Sequence, residues 1–129
     1  MIDAAYDRDE VLRILIPMGW STEQVSLALR AGFCCEYCDR DLLSSVHDYD
    51  SWQIDHILPL SRNGPDEFGN RAIACRTCSY LKRNALPDAH IDPLSDRDHA
   101  LQEVRRMLDE RRTRKQAQVE KLRRLFRRE

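Results

Sequence analysis

The sequence predicts an α+β fold. A short antiparallel hairpin runs into a helix, with helices before it and one long basic helix after it. Three observations carry this. Two Cys-x-x-Cys pairs, Cys35-Glu36-Tyr37-Cys38 and Cys75-Arg76-Thr77-Cys78, stand 40 residues apart. Between them, an alternating segment, a run of turn formers and a second apolar run read as strand, loop and strand. Outside them, apolar residues recur at helical spacing.

The N-terminal segment, residues 1–32, reads as two helices. Asp7 caps the first, whose Val11, Leu12, Leu15 and Ile16 share a face directed at the core, and Pro17 and Gly19 end it. Ser21-Thr22-Glu23-Gln24 has the form of a capping box and opens a second helix carrying Val25, Ala28 and Leu29, with Gly32 as its stop. Residues 33–90 form the predicted core. After the first cysteine pair comes a polar, acidic loop to residue 50. Ser51-Trp52-Gln53-Ile54 then alternates as a strand does, with Trp52 packing at the hairpin. Ser61-Arg62-Asn63-Gly64-Pro65-Asp66 is dense in turn formers, and Arg71-Ala72-Ile73-Ala74 is the returning strand. From Cys75 through Lys82-Arg83-Asn84 a short helix is expected, ended by Pro87. Residues 91–129 form a basic helical tail opened by Ser95. Leu101, Val104 and Leu108 make one stripe, residues 111–118 hold almost nothing apolar, and Leu122, Leu125 and Phe126 resume it. Its first part is expected to pack on the core and its later part to project arginines.

At 129 residues the chain is sized for one domain, and 42% hydrophobic with 33% charged residues excludes a disordered chain. No run approaches the ~18 apolar residues of a membrane span, and the first residues lack the pattern of a secretory signal, so a cytoplasmic protein without a membrane partner is expected. The net charge of −1 hides an asymmetry: residues 1–100 carry 10 Lys and Arg against 17 Asp and Glu, residues 101–129 carry 11 against 5. An arginine-rich tail suits phosphates, because guanidinium is always charged and binds two oxygens at once.

In a reducing compartment two Cys-x-x-Cys turns are what tetrahedral zinc needs, each bringing two thiolates to about 2.3 Å from one ion. Cys35, Cys38, Cys75 and Cys78 are therefore the expected ligands of a structural Zn2+, a staple that so small a core requires. Cys34 offers a wider-gapped alternative to Cys35, and the regular spacing favours Cys35.

The stretch Ile54-Asp55-His56-Ile57-Leu58-Pro59-Leu60-Ser61-Arg62-Asn63-Gly64, followed by Asn70 and then by Cys75-x-x-Cys78 with Lys82, closely resembles the HNH endonuclease family over about residues 33–84. The resemblance implies a ββα-metal, treble-clef-like core and metal-dependent hydrolysis of DNA phosphodiester bonds. By it, Asp55 binds the single catalytic divalent ion, Mg2+ or Mn2+ with Ni2+ or Zn2+ as alternatives, and His56 deprotonates the attacking water. Asn70 bonds backbone across the loop through its amide and orients His56, while Lys82 and Arg83 hold phosphate from the helix. The side-chain chemistry agrees: imidazole, with an ordinary pKa of about 6.5, is a good base near neutrality, and a carboxylate is a hard oxygen ligand. On a regular strand Asp55 and His56 point to opposite faces, so both reach one phosphate only at a bent strand end or at its tip.

One position departs from the family. The residue after the last cysteine is usually His or Asn and supplies a second metal ligand; here it is Ser79, a shorter and weaker one, with Asn84 as another candidate. Two readings follow: an active nuclease, nicking or cutting sequentially, or a weak or degenerate HNH module that binds nucleic acid or a protein partner. The tail, from about Arg105 to Arg128 and including Arg112, Arg114 and Lys115, is expected to bind DNA backbone without reading sequence. One metal site cuts one strand at a time, so cutting both strands needs a homodimer or two events; a subunit of a larger phage or restriction assembly is a third reading. His47, His90 and His99 are given no role.

Overall fold

A computed structural model describes residues 6–126. In chain order the elements are α1 (Arg8–Leu15), a 3-10 turn (Ile16–Met18), α2 (Thr22–Ala31), α3 (Val46–Ser51), β1 (Gln53–His56), two 3-10 turns (Leu60–Arg62 and Phe68–Asn70), β2 (Arg71–Ala74), α4 (Arg76–Lys82) and α5 (Arg97–Leu125). The two strands pair antiparallel, Gln53 with Ala74, Ile54 with Ile73, Asp55 with Ala72 and His56 with Arg71. This is the expected hairpin-and-helix core with helical flanks. Among the described residues no helix is long and apolar enough to cross a membrane.

Local chemistry sets most element ends. Asp7 accepts from the backbone N–H of Asp9 and Glu10, and α1 ends in a 3-10 turn closed by Gly19 at φ +100°. Both halves of the capping box form: Ser21 Oγ accepts from Gln24 N–H and Gln24 Oε1 accepts from Ser21 N–H. Gly32, at φ +62°, stops α2. Cys75 caps α4 with its own sulfur, which accepts from Cys78 N–H.

One hydrophobic cluster draws on all three segments. Leu27, Ala28 and Ala31 of α2, Leu42, Ile57, Ala72 and Ile73 of the middle, and Ala100, Leu101, Val104 and Leu108 of α5 are buried together with Cys35, Cys75 and Cys78. Trp20 stacks on Trp52 and meets Phe33 edge-on, closing the cluster beside the hairpin.

Four sequence expectations are corrected. No residue of α1 is buried, because α1 lies outside the cluster against α2 and nothing covers its other side among the described residues. The acidic loop before the hairpin contains α3, nucleated by Ser45, whose Oγ accepts from Asp48 N–H. Strand β1 starts two residues later than the alternation suggested and runs through Asp55 and His56. Asp96, not Ser95, caps α5; Ser95 bonds Asp92 instead.

The tail divides as its stripe does. Ala100, Leu101, Glu103, Val104 and Leu108 are buried, whereas residues 113–126 are exposed throughout. Arg128 lies outside the described residues.

Candidate active site and metal centre

The four predicted cysteines meet at one point. The sulfurs of Cys35, Cys38, Cys75 and Cys78 all lie within 4.8 Å of one another, and Cys38 Sγ is 3.8 Å from Cys75 Sγ. A tetrahedron with metal–sulfur bonds of about 2.3 Å has edges of about 3.8 Å, so the donor set and its spacing fit zinc. Cys34 stands outside, its Sγ directed at the Gly32 carbonyl. Hydrogen bonding among the crowded sulfurs draws the Cys38 thiol down to about 7 and Cys75 down as well, while Cys35 and Cys78 are held up. Four cysteine sulfurs at this spacing could together hold one metal ion.

Glu36, one of the two residues between Cys35 and Cys38, ties this centre to its surroundings. Glu36 is 8% exposed; Arg30 of α2 and Arg97 of α5 pair with its two carboxylate oxygens, and Oε1 also accepts from Ile73 N–H. Its carbonyl accepts from Arg105 Nε at 2.8 Å. Further along α5, Arg112 Nη2 donates to Cys78 Sγ at 2.9 Å and Arg111 caps the end of α4 at the Leu81 and Lys82 carbonyls.

At the other end of the hairpin, Asp55 and His56 line one cleft of about 210 Å³ with Pro59, Leu60, Ser61, Lys82, Arg83 and Asn84. Strand β1 ends at His56, so the cleft opens at the strand tip and the alternation of side chains no longer separates the two residues. Asp55 is oriented by two buried donors. Tyr37 Oη donates to its Oδ2 at 2.6 Å, and Lys82 Nζ lies 3.0 Å from the same oxygen. Burial, and then the Asp55 charge, push the Tyr37 phenol up, so it stays a protonated donor. The other oxygen of Asp55 has no hydrogen bond among the described residues and remains for a ligand.

His56 has its side chain 24% exposed, with Nε2 3.2 Å from Asp66 Oδ1. Asn70 is fully buried beneath the loop. Its Oδ1 accepts from Leu58 N–H at 2.9 Å, and its Nδ2 donates to the carbonyls of Leu58 (2.9 Å) and Pro65 (2.7 Å). Its backbone carbonyl receives Ile57 N–H. The loop that follows His56 is thereby held closed from within.

Three expected phosphate contacts are placed elsewhere. Lys82 is wholly buried, its ammonium donating to the His56 carbonyl at 2.7 Å and paired with Asp55, so it holds the cleft wall and cannot meet phosphate from solvent. Arg105 and Arg112 turn their guanidinium groups to the cysteine knuckle. For all three, helical phase pointed inward without naming the neighbour that each meets. Lys82 stands four residues after buried Cys78, Arg105 four after Leu101 and Arg112 four after Leu108, each on the inward face of its helix. By contrast, Arg83, Arg114 and Lys115 line an open groove with Tyr80 and Arg111. Arg83 belongs to both clefts, and its guanidinium lies over the Tyr80 ring at 4.7 Å. Its backbone takes φ +50°, a conformation that favours glycine. Ser79 is half-buried and does not line the Asp55 cleft, whereas Asn84 does. His47 lies exposed on α3, away from the cleft.

A two-stranded hairpin, a helix capped by a cysteine turn and an Asp–His pair at the hairpin tip thus form one α+β unit. Residues 35–85 match the family model of the HNH endonuclease, and the chain carries an HNH domain over that stretch. Comparison with curated proteins returns no match.

Proposed function

We propose that this protein is a metal-dependent DNA endonuclease with His56 as its general base. One observation carries the reading: Asp55 and His56 share a single cleft at the hairpin tip, and Arg83 continues that cleft into the basic groove of Arg114 and Lys115. The free oxygen of Asp55 fits a hard divalent ion such as Mg2+ or Mn2+, with Asn84 as a neutral neighbour. Such sites work with one or two carboxylates completed by water and substrate phosphate. When bound, the ion supplies neutralisation of charge on the phosphate. His56 takes the proton of a water molecule as its oxygen bonds to phosphorus, and the bond to the leaving sugar oxygen breaks. Asn70 keeps the His56 loop closed, and Arg83, Arg114 and Lys115 hold backbone phosphates on either side. Zinc on the four cysteines keeps hairpin and helix in register. Thiols held for zinc fit a reducing, cytoplasmic setting.

The test is nicking of supercoiled plasmid by the purified, zinc-loaded chain with Mg2+, Mn2+ or Ni2+. His56→Ala should abolish activity; cleavage surviving that substitution would overturn the assignment of the base. A second reading, a weak or non-cleaving HNH module that binds nucleic acid, is favoured by the thin ligand set, because Ser79 does not line the cleft. Retarded DNA without nicking would support it, and Ser79→Asn should then raise the rate if the missing ligand is the cause. Whether both strands are cut by a homodimer, by successive nicks or within a larger phage or restriction assembly is read from product topology against protein concentration.

A further inference from the structure

Asp66 belongs to none of the metal or base motifs, yet it touches the base. It sits on a turn pinned from both sides. Pro65 gives its carbonyl to Asn70, and Gly64 lies so close to the Leu58 backbone that an added Cβ would stand 1.9 Å from the Leu58 oxygen. From this turn Asp66 Oδ1 reaches His56 Nε2 at 3.2 Å and Arg71 Nη2 at 2.9 Å. Arg71 stands directly opposite His56 in the strand ladder, and its Nη1 is 2.6 Å from Glu23 of α2. A line of side chains, Glu23, Arg71, Asp66 and His56, thus runs from the N-terminal helices to the imidazole.

We propose that Asp66 is a positioning residue that fixes the tautomer and orientation of the His56 ring. A carboxylate only accepts, so the imidazole nitrogen facing it must carry the proton. With the proton on Nε2, the lone pair is on Nδ1, and Nδ1 is the atom that takes the proton of water. Asp66 is 65% exposed, and an exposed pair of this kind adds little to stability. What makes it effective is its own anchoring. Arg71, and after it His56, hold the Asp66 carboxyl below the usual range, which keeps it an acceptor across neutral and mildly acid pH. Partners that hold a reacting histidine in one tautomer typically change the rate by 10- to 100-fold in metal sites, and by more in hydrolytic triads.

The inference rests on His56 being the base, and the test separates the two. Long-range proton–nitrogen NMR of the zinc-loaded full chain, without the catalytic ion, reads the His56 tautomer directly. The wild type should show one form, protonated on Nε2; Asp66→Ala and the isosteric Asp66→Asn should show a mixture, and Asp66→Glu should recover part of the single form. In the plasmid assay both deleterious variants should lower kcat on the order of 10- to 100-fold with KM for DNA unchanged. A His56 spectrum unaltered in Asp66→Ala, or a loss confined to KM, would overturn the role of Asp66. A wild type that never nicks would overturn the nuclease reading alone, and the spectrum would still decide whether Asp66 sets the ring.

Discussion

The buried ammonium of Lys82 offers the sharpest test of how this site is built. Lys82→Met keeps most of the apolar stem and removes the charge. It leaves Asp55 with only the Tyr37 hydroxyl on Oδ2 and leaves the His56 carbonyl without its donor. Breaking one side of a buried pair costs about 3–5 kcal/mol, since the partner stays as an uncompensated charge. At this chain length each kcal/mol moves the melting midpoint by roughly 4 °C, so a fall of about 12–20 °C is expected. Removing both charges in Lys82→Met/Asp55→Asn should return much of the loss, a coupling of about 2–3 kcal/mol in the double-mutant cycle. Urea unfolding followed by circular dichroism, at one fixed zinc concentration for all variants, measures it. A phosphate-binding Lys82 would behave in the opposite way: the unfolding midpoint would stay put and the salt dependence of DNA affinity would lose about one contact. That result would refute the buried role.

Other perturbations separate the structural arginines from those proposed to meet DNA. Arg83→Gly should stabilise the protein by about 1 kcal/mol, because φ +50° suits glycine. It should also reduce the slope of log affinity against log salt by about 0.9, measured by filter binding. Arg112→Ala should leave that slope unchanged and speed zinc capture by a colorimetric chelator on the order of tenfold, because the Cys78 thiolate loses its guanidinium donor. Gly64→Ala should cost about 3 kcal/mol, the upper range for overpacking, since the clash is with backbone, and it should expose the Asn70 amide protons to exchange. The Asp48 carboxyl is held well below its ordinary range by Arg40, Ser44 and Ser45. Its stabilising contribution should be complete above the ordinary carboxyl pKa of about 4 and should be lost as pH falls through the lowered folded value; Asp48→Asn should flatten the acid limb of the unfolding curve.

Features that depend on a few neighbouring residues were legible before any coordinates. The capping box at Ser21, the stops at Gly19 and Gly32, the cysteine pairs and the Asp55-His56 pair each act within a few positions of chain, where covalent geometry already fixes the distances. The half-packed, half-projecting α5 was legible too, because its apolar stripe breaks after Leu108. The burial of Lys82, the turning of Arg105 and Arg112 to the cysteine knuckle, the only half-buried apolar face of α1 and the reach of Asp66 to His56 were not. Each depends on how far one element stands from another. A long cationic side chain goes to solvent or to a buried acceptor according to what lies across from its helix, and sequence periodicity gives its phase without its neighbour. Spacing along the chain therefore determined which side chains gather at the cysteine cluster and at the hairpin tip. Packing between elements decided which charges brace the site and which remain exposed.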